Sequence, residues 1–139
     1  MNKAMLADSN ILIRLFVKND DTQIEQLVRL IEHGGTTFYI LSLVLIETYW
    51  VLHSVYGFKK EVIVQVFEDF IESDGVELEE DSLMQRVIAR FREVNVDLVD
   101  VYLAEKSKNL KFPSLTWNAK DFRKLGCEFF RPQDIIINS

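Results

Sequence analysis

The chain alternates short apolar or β-branched runs with longer stretches in which apolar residues recur every three or four positions. The first pattern is that of a strand and the second that of a helix buried on one side. Strands are expected over 4–8, 37–41, 114–116 and 128–130. Helices are expected over 9–16, from Asp20 or Asp21 to the Gly34-Gly35 stop, and over about 43–56, 59–73 and 81–93. Two more are expected, from Asp97 or Asp100 to about Asn109 and over 121–125. The strand over 4–8 reads as buried, and Ser42 is placed to cap the helix that follows the second strand. That helix is apolar on nearly every side, so it is expected deep in the core, with Tyr49, Trp50 and later Tyr102 read as core rather than as base-stacking surfaces. Strands alternating with helices imply an α/β fold with a parallel sheet covered on both faces. Right-handed crossovers then bring the strand C-terminal ends to one edge, where open α/β sheets bind ligands.

Composition narrows this picture. With 139 residues, the expectation is a single domain over 1–139. One cysteine, Cys127, excludes an internal disulfide and a multi-cysteine zinc site, and His33 and His53 are too far apart in sequence for a local metal pair. No secretory leader pattern and no run of about 18 apolar residues is present, so a cytoplasmic location and no membrane contact are expected.

The net charge of −6 speaks against a polyanionic partner, but the charge is segregated. Residues 61–81 hold nine acids and no Lys or Arg, whereas 106–131 hold seven bases against Asp121 and Glu128, or +5. Two solvated faces of opposite sign explain this as well as a basic rim beside an anionic substrate does.

Several acids fall where the expected strands end and helices begin. Asp8 ends the first strand, Glu47 lies in the helix after the second, Asp97 and Asp100 open a late helix, and Asn118 and Asp121 follow the strand ending at Thr116. Asp8, Asp97 or Asp100, and Asp121 each have an alternative reading as a helix N-cap, and since one cap suffices for the late helix, one of Asp97 and Asp100 is left over. Glu47 is the one formally charged residue between Thr36 and Phe58, and its burial would demand a cationic partner or a raised pKa. Were these carboxylates to converge, each pair 4 Å apart would repel by about 4 kcal/mol at an effective dielectric near 20. Protons or a hard divalent cation would have to neutralise them, and oxygen donors favour Mg²⁺ or Mn²⁺ over zinc. A cation held there turns an acidic site into an attractor for phosphate.

Four segments, in this order, resemble the PIN-domain ribonucleases, and in particular the VapC-like toxins of toxin–antitoxin modules. They are Leu6-Ala7-Asp8-Ser9-Asn10-Ile11-Leu12, Ser42-Leu43-Val44-Leu45-Ile46-Glu47, Val96-Asp97-Leu98-Val99-Asp100-Val101-Tyr102-Leu103-Ala104 and Thr116-Trp117-Asn118-Ala119-Lys120-Asp121-Phe122. The resemblance implies a three-layer α/β/α fold with a short central parallel sheet and Mg²⁺- or Mn²⁺-dependent endonucleolytic cleavage of RNA. It marks Asp8, Glu47 and Asp100 as metal-binding carboxylates and Asp121 as the fourth. Asn118 stands where many members have Asp, and would orient Asp121 or coordinate through its carbonyl. Ser9 and Asp97 are implied as supporting residues beside the metal. A metal-activated water would attack phosphorus in line, so no protein nucleophile is needed. Arg14, Lys106, Lys108, Lys120 and Arg123 are candidate phosphate contacts. A cognate antitoxin and a homodimer are implied as partners besides RNA.

Two other classes remain open. A PIN-like module that binds RNA or a partner without cutting is kept alive by Asn118. A Mg²⁺-dependent phosphatase of the haloacid dehalogenase type is faintly echoed by Asp8-Ser9-Asn10, although the second Asp of its D-x-D loop is missing.

Overall fold

The structure is a computed structural model that describes residues 3–18 and 21–136. The helix start proposed at Asp20 therefore lies outside the described residues. The chain divides into two compact units, Met1–Asp81 and Ser82–Ser139.

The first unit is built on β1 (Lys3–Leu6), β2 (Thr36–Ile40) and β3 (Val76–Leu78), hydrogen-bonded in that order and all parallel. The register sets Met5 beside Phe38 and Phe38 beside Val76. The crossover from β1 to β2 carries α1 (Ser9–Val17) and α2 (Asp21–Glu32), and that from β2 to β3 carries α3 (Ser42–Ser54) and α4 (Lys60–Ile71). The central strand β2 is β-branched and aromatic, and it buries Thr36, Phe38 and Ile40 in strict alternation. Around it the core gathers Leu12 of α1, Leu45 and Leu52 of α3, and Ile63, Val64 and Phe67 of α4. Phe16 crosses from α1 toward α4, edge-on to Phe70 with ring centroids 5.2 Å apart. Gly75 leads into β3 with φ +81, and a Cβ there would meet Ile31 Cγ2 at 2.7 Å, so both backbone and space exclude a larger residue.

Three expectations need correction here. β1 spans Lys3–Leu6 rather than 4–8, and its four residues are exposed, because the strand lies at the edge of its sheet with β2 as its one neighbour among the described residues. β3 was not anticipated: Val76-Glu77-Leu78 sits in the acidic run and is too short to show a period, and pairing with β2 defines it. α3 buries one face, through Ser42, Leu45, Thr48 and Leu52, while Leu43, Glu47 and Trp50 face water. Its apolar composition therefore does not mean enclosure, and Trp50 is 62% exposed.

The second unit holds α5 (Asp81–Glu93, from Ser82 onward), α6 (Leu98–Leu110), β4 (Ser114–Leu115), α7 (Ala119–Leu125), β5 (Phe129–Phe130) and α8 (Pro132–Ile136). β4 and β5 pair in parallel. α5 buries Leu83, Met84, Val87, Ile88 and Phe91, the single stripe that its sequence spacing requires. α6 packs on α7 and β4, burying Leu98, Val101 and Ala104, while α7 buries Phe122 and Leu125. Arg90 of α5 donates to the Lys124 carbonyl at 2.8 Å and Lys108 of α6 to the Leu125 carbonyl at 2.8 Å, so two cations serve the otherwise open C-terminal end of α7.

Candidate functional site

In the first unit, the acids at the starts of α1 and α3 serve the helix ends. The Asp8 carboxylate accepts the Ile11 N–H at 3.1 Å and caps α1, so its reading as an N-cap holds. Ser9 follows as the first, half-buried residue of the helix. The start of α3 works differently from expectation. Leu41, not Ser42, occupies the cap position and offers no side-chain bond. The carboxylate of Glu79, just after β3, accepts the Ser42 N–H at 3.1 Å, and the Ser42 hydroxyl donates to Glu80 Oε1 at 2.8 Å. Two acids from across the sheet thus supply what the local sequence lacks, and the helix dipole favours them there. Glu47, farther along α3, is exposed and has no ion-pair or hydrogen-bond partner among the described residues. No buried compensating cation is needed for it.

In the second unit the acids are crowded rather than bonded. Asp97 stands at the cap position of α6 but its side chain makes no capping bond, and Asp100 lies in the first turn. Asn118, not Asp121, caps α7: its carbonyl oxygen accepts the Asp121 N–H at 3.3 Å, and its amide donates to Asp121 Oδ2 at 2.9 Å. The Asn118 N–H is itself held by Thr116 Oγ1 at 2.9 Å. Partial burial raises the Asp100 carboxyl above its ordinary range, the neighbouring Asp97 and Asp121 carboxylates raise it further, and a hydrogen bond from the Asn118 side chain opposes them. Asp97, Asp100, Asn118 and Asp121 therefore form one interacting constellation, with Asn118 as its shared donor.

The cationic candidates sort by their partners. Lys108 pairs with Glu105 at 2.8 Å in addition to the Leu125 carbonyl, so it is spent on structure. Lys120 and Arg123 of α7 are exposed and have no ion pair among the described residues. Arg14 is half-buried in α1 and Lys106 half-buried in α6.

Sequence reasoning missed two features. The Glu79–Ser42 contact has no signal in the local sequence because its partners are 37 residues apart. Trp117 was passed over although it sits inside the fourth motif; it is 73% exposed.

Among the described residues, no group of three or more His, Cys, Asp or Glu is gathered as a metal site. The donor chemistry of the second unit nevertheless suits a hard cation. Its donors are oxygens alone, and partial burial followed by the neighbouring acids disfavours the Asp100 anion, a penalty that a divalent ion would offset.

The molecule is a helix-rich α/β protein with a three-stranded parallel sheet, consistent with the PIN-like three-layer α/β/α fold. A profile of the PIN domain matches residues 5–126, and the chain belongs to the PIN-domain family. Members of that family are generally nucleases that act on RNA, and they usually use divalent metals such as Mg²⁺ or Mn²⁺. No curated protein matches the chain. None of the described helices is long and apolar enough to cross a membrane.

Proposed function

We propose that the chain is a divalent-metal-dependent endoribonuclease acting as the toxin of a toxin–antitoxin pair in the cytoplasm. The observation that carries the nuclease reading is the constellation of Asp97, Asp100, Asn118 and Asp121, in which a carboxylate is kept among like charges inside the family-matched region. Such crowding costs stability and makes sense where a cation is to be held. The residues that the family motifs assign to holding Mg²⁺ or Mn²⁺ are Asp8, Glu47, Asp100 and Asp121. When bound, the ion supplies Lewis acidity toward phosphate and eases deprotonation of water.

The protein's own groups have separable tasks. Asn118 fixes the orientation of Asp121 through its two hydrogen bonds. Asp97 adds negative field at Asp100. Ser9, beside Asp8, offers a hydroxyl next to that carboxylate. Lys120 and Arg123 are placed on α7, the helix that carries Asp121, to meet a phosphate backbone. The family match runs across the boundary between the two units, which supports reading 1–139 as one PIN domain. Exposed apolar residues on α3 (Leu43, Trp50) and on α6 (Val99, Leu103) support a protein partner, which we take to be an antitoxin and a second copy of the chain.

The test is cleavage of RNA by the purified full chain with Mg²⁺ or Mn²⁺. Cleavage is expected to stop with a chelator and in Asp100→Asn. Protein that cuts no RNA under any divalent ion, or an Asp100→Asn variant that cuts like the parent, would sink the nuclease reading and leave the non-cutting binding module in its place.

A further inference from the structure

Resting on the nuclease reading above, we propose that Trp117 is a stacking platform for an unpaired base of the RNA, and so a residue that selects single-stranded substrate beside the Asp100–Asn118–Asp121 constellation. Three observations meet at this side chain. Its indole is 73% exposed, although Trp is among the costliest residues to leave in water. The ring is nonetheless tethered: its Nε1–H donates to Gln133 Oε1 at 3.0 Å, which satisfies the one polar atom while the residue as a whole stays exposed. And it directly precedes Asn118, the residue that hydrogen-bonds Asp121 and Asp100, so a base stacked there belongs to a nucleotide adjacent to the acids.

Charge favours nucleic acid over a protein as the occupant. Trp117 lies in the +5 segment 106–131, with the exposed cations Lys120 and Arg123 following it on α7 and Lys111 preceding it. An aromatic face beside a basic surface is the arrangement that binds single strands without regard to sequence, because every base offers a π face while the phosphates meet the cations. A duplex keeps its bases stacked on one another and offers none to the ring. A tethered indole also loses less side-chain freedom on binding than a free one.

The test separates binding from cleavage. In full-length Asp100→Asn protein carrying Trp50→Phe, Trp117 is the remaining tryptophan, and its emission reports on the ring directly. A mixed-sequence 12-nucleotide RNA strand is expected to quench that emission, and its perfect duplex is expected to leave it unchanged. Followed by the anisotropy of a labelled strand, Trp117→Ala is expected to weaken binding about tenfold, Trp117→Phe to retain most of it, and neither to alter binding of the duplex. Lys120→Ala with Arg123→Ala is expected to weaken strand and duplex alike and to flatten the salt dependence. Equal strand affinity in Trp117→Ala and its parent, or quenching by duplex as strong as by strand, overturns the proposal. So does Trp117 emission that follows protein concentration with a change in oligomeric state and ignores RNA, which would assign the ring to a protein interface. Strand binding that depends on Trp117 in a protein whose parent cuts no RNA would uphold the stacking role while removing the nuclease reading beneath it.

Discussion

Asp8 and Asp100 both sit at the start of a helix that follows an irregular segment, and the structure uses them in opposite ways. Asp8 accepts a backbone N–H and closes the first turn of α1. Glu79, in the same unit, does likewise for the start of α3 by accepting the Ser42 N–H, and Glu80 accepts the Ser42 hydroxyl. These acids lower the energy of the fold. Asp100 makes no capping bond; it is partly desolvated and faces Asp97 and Asp121, and the one favourable influence on its charge is Asn118. A carboxylate that satisfies backbone donors explains itself as structure. One held among like charges at a cost requires a second reason, and binding a cation is the available one.

The largest expected effect tests whether Asp8 belongs to both groups. Asn caps a helix about as well as Asp but carries no charge. Asp8→Asn is therefore expected to fold normally while losing metal-dependent RNA cleavage by about 10²-fold or more, the scale on which removal of one electrostatic group from a reaction centre is felt. Asp100→Asn, Asp121→Asn and Glu47→Gln are expected to lose activity to a similar extent. Initial rates on one RNA at saturating Mn²⁺, with circular dichroism to confirm the fold, check this. Full activity in Asp8→Asn would confine Asp8 to capping and would move the chemistry to the second unit.

Much of the fold was legible because it is written locally. The stripe of Leu83, Val87, Ile88 and Phe91 defines α5 without reference to anything else, and the Gly34-Gly35 pair marks where α2 must stop. The motif acids were legible as candidates for the same reason. What the sequence hides is decided by tertiary pairing. The acidic Val76-Glu77-Leu78 becomes a strand through β2, and α3 shows an apolar face to water that its composition would place inside. Roles within the candidate site were hidden too: both Asn118 and Asp121 have capping chemistry, and only the hydrogen bonds show that Asn118 takes the cap and leaves the Asp121 carboxylate to act as its partner.

Intermediate effects probe the structural acids. Asp8→Ala removes the α1 cap and is expected to cost about 1 kcal/mol, with Asp8→Asn near the parent. Glu79→Ala removes an acceptor that lies 3.1 Å from the Ser42 N–H, and Ser42 is buried, so a comparable loss of about 1 kcal/mol is expected. Glu79→Gln keeps an acceptor and is expected to recover part of it. Urea denaturation midpoints at neutral pH measure all four variants. A Glu79→Ala protein as stable as the parent would show that the β3-to-α3 contact is incidental, and the distinction between the two sets of acids would lose half its support.

The smallest effect is the sharpest for the comparison, because its sign is unusual. Replacing a surface acid normally changes little or costs some stability, but the Asp100 carboxyl is raised from its ordinary value of 3.8 in the folded protein, by burial first and by Asp97 and Asp121 next. The folded state therefore holds this proton more tightly than the unfolded chain does. The stabilising contribution is fully present below pH 3.8, is lost as pH rises through the raised folded value, and leaves a constant penalty above it. Asp100→Asn removes that penalty. In metal-free buffer at pH 7 the variant is expected to be more stable than the parent, by no more than about 1 kcal/mol because water screens a group this exposed. At pH 3 the difference is expected to vanish, since the parent carboxyl is then neutral as well. The same substitution is thus expected to abolish activity and to stabilise the fold, the pattern of a residue kept for function at the expense of stability. Thermal midpoints of the two proteins across pH 3 to 7 decide it: an advantage for Asp100→Asn that persists unchanged at pH 3 comes from packing rather than charge, and a loss at pH 7 places Asp100 with Asp8 among the acids that build the fold.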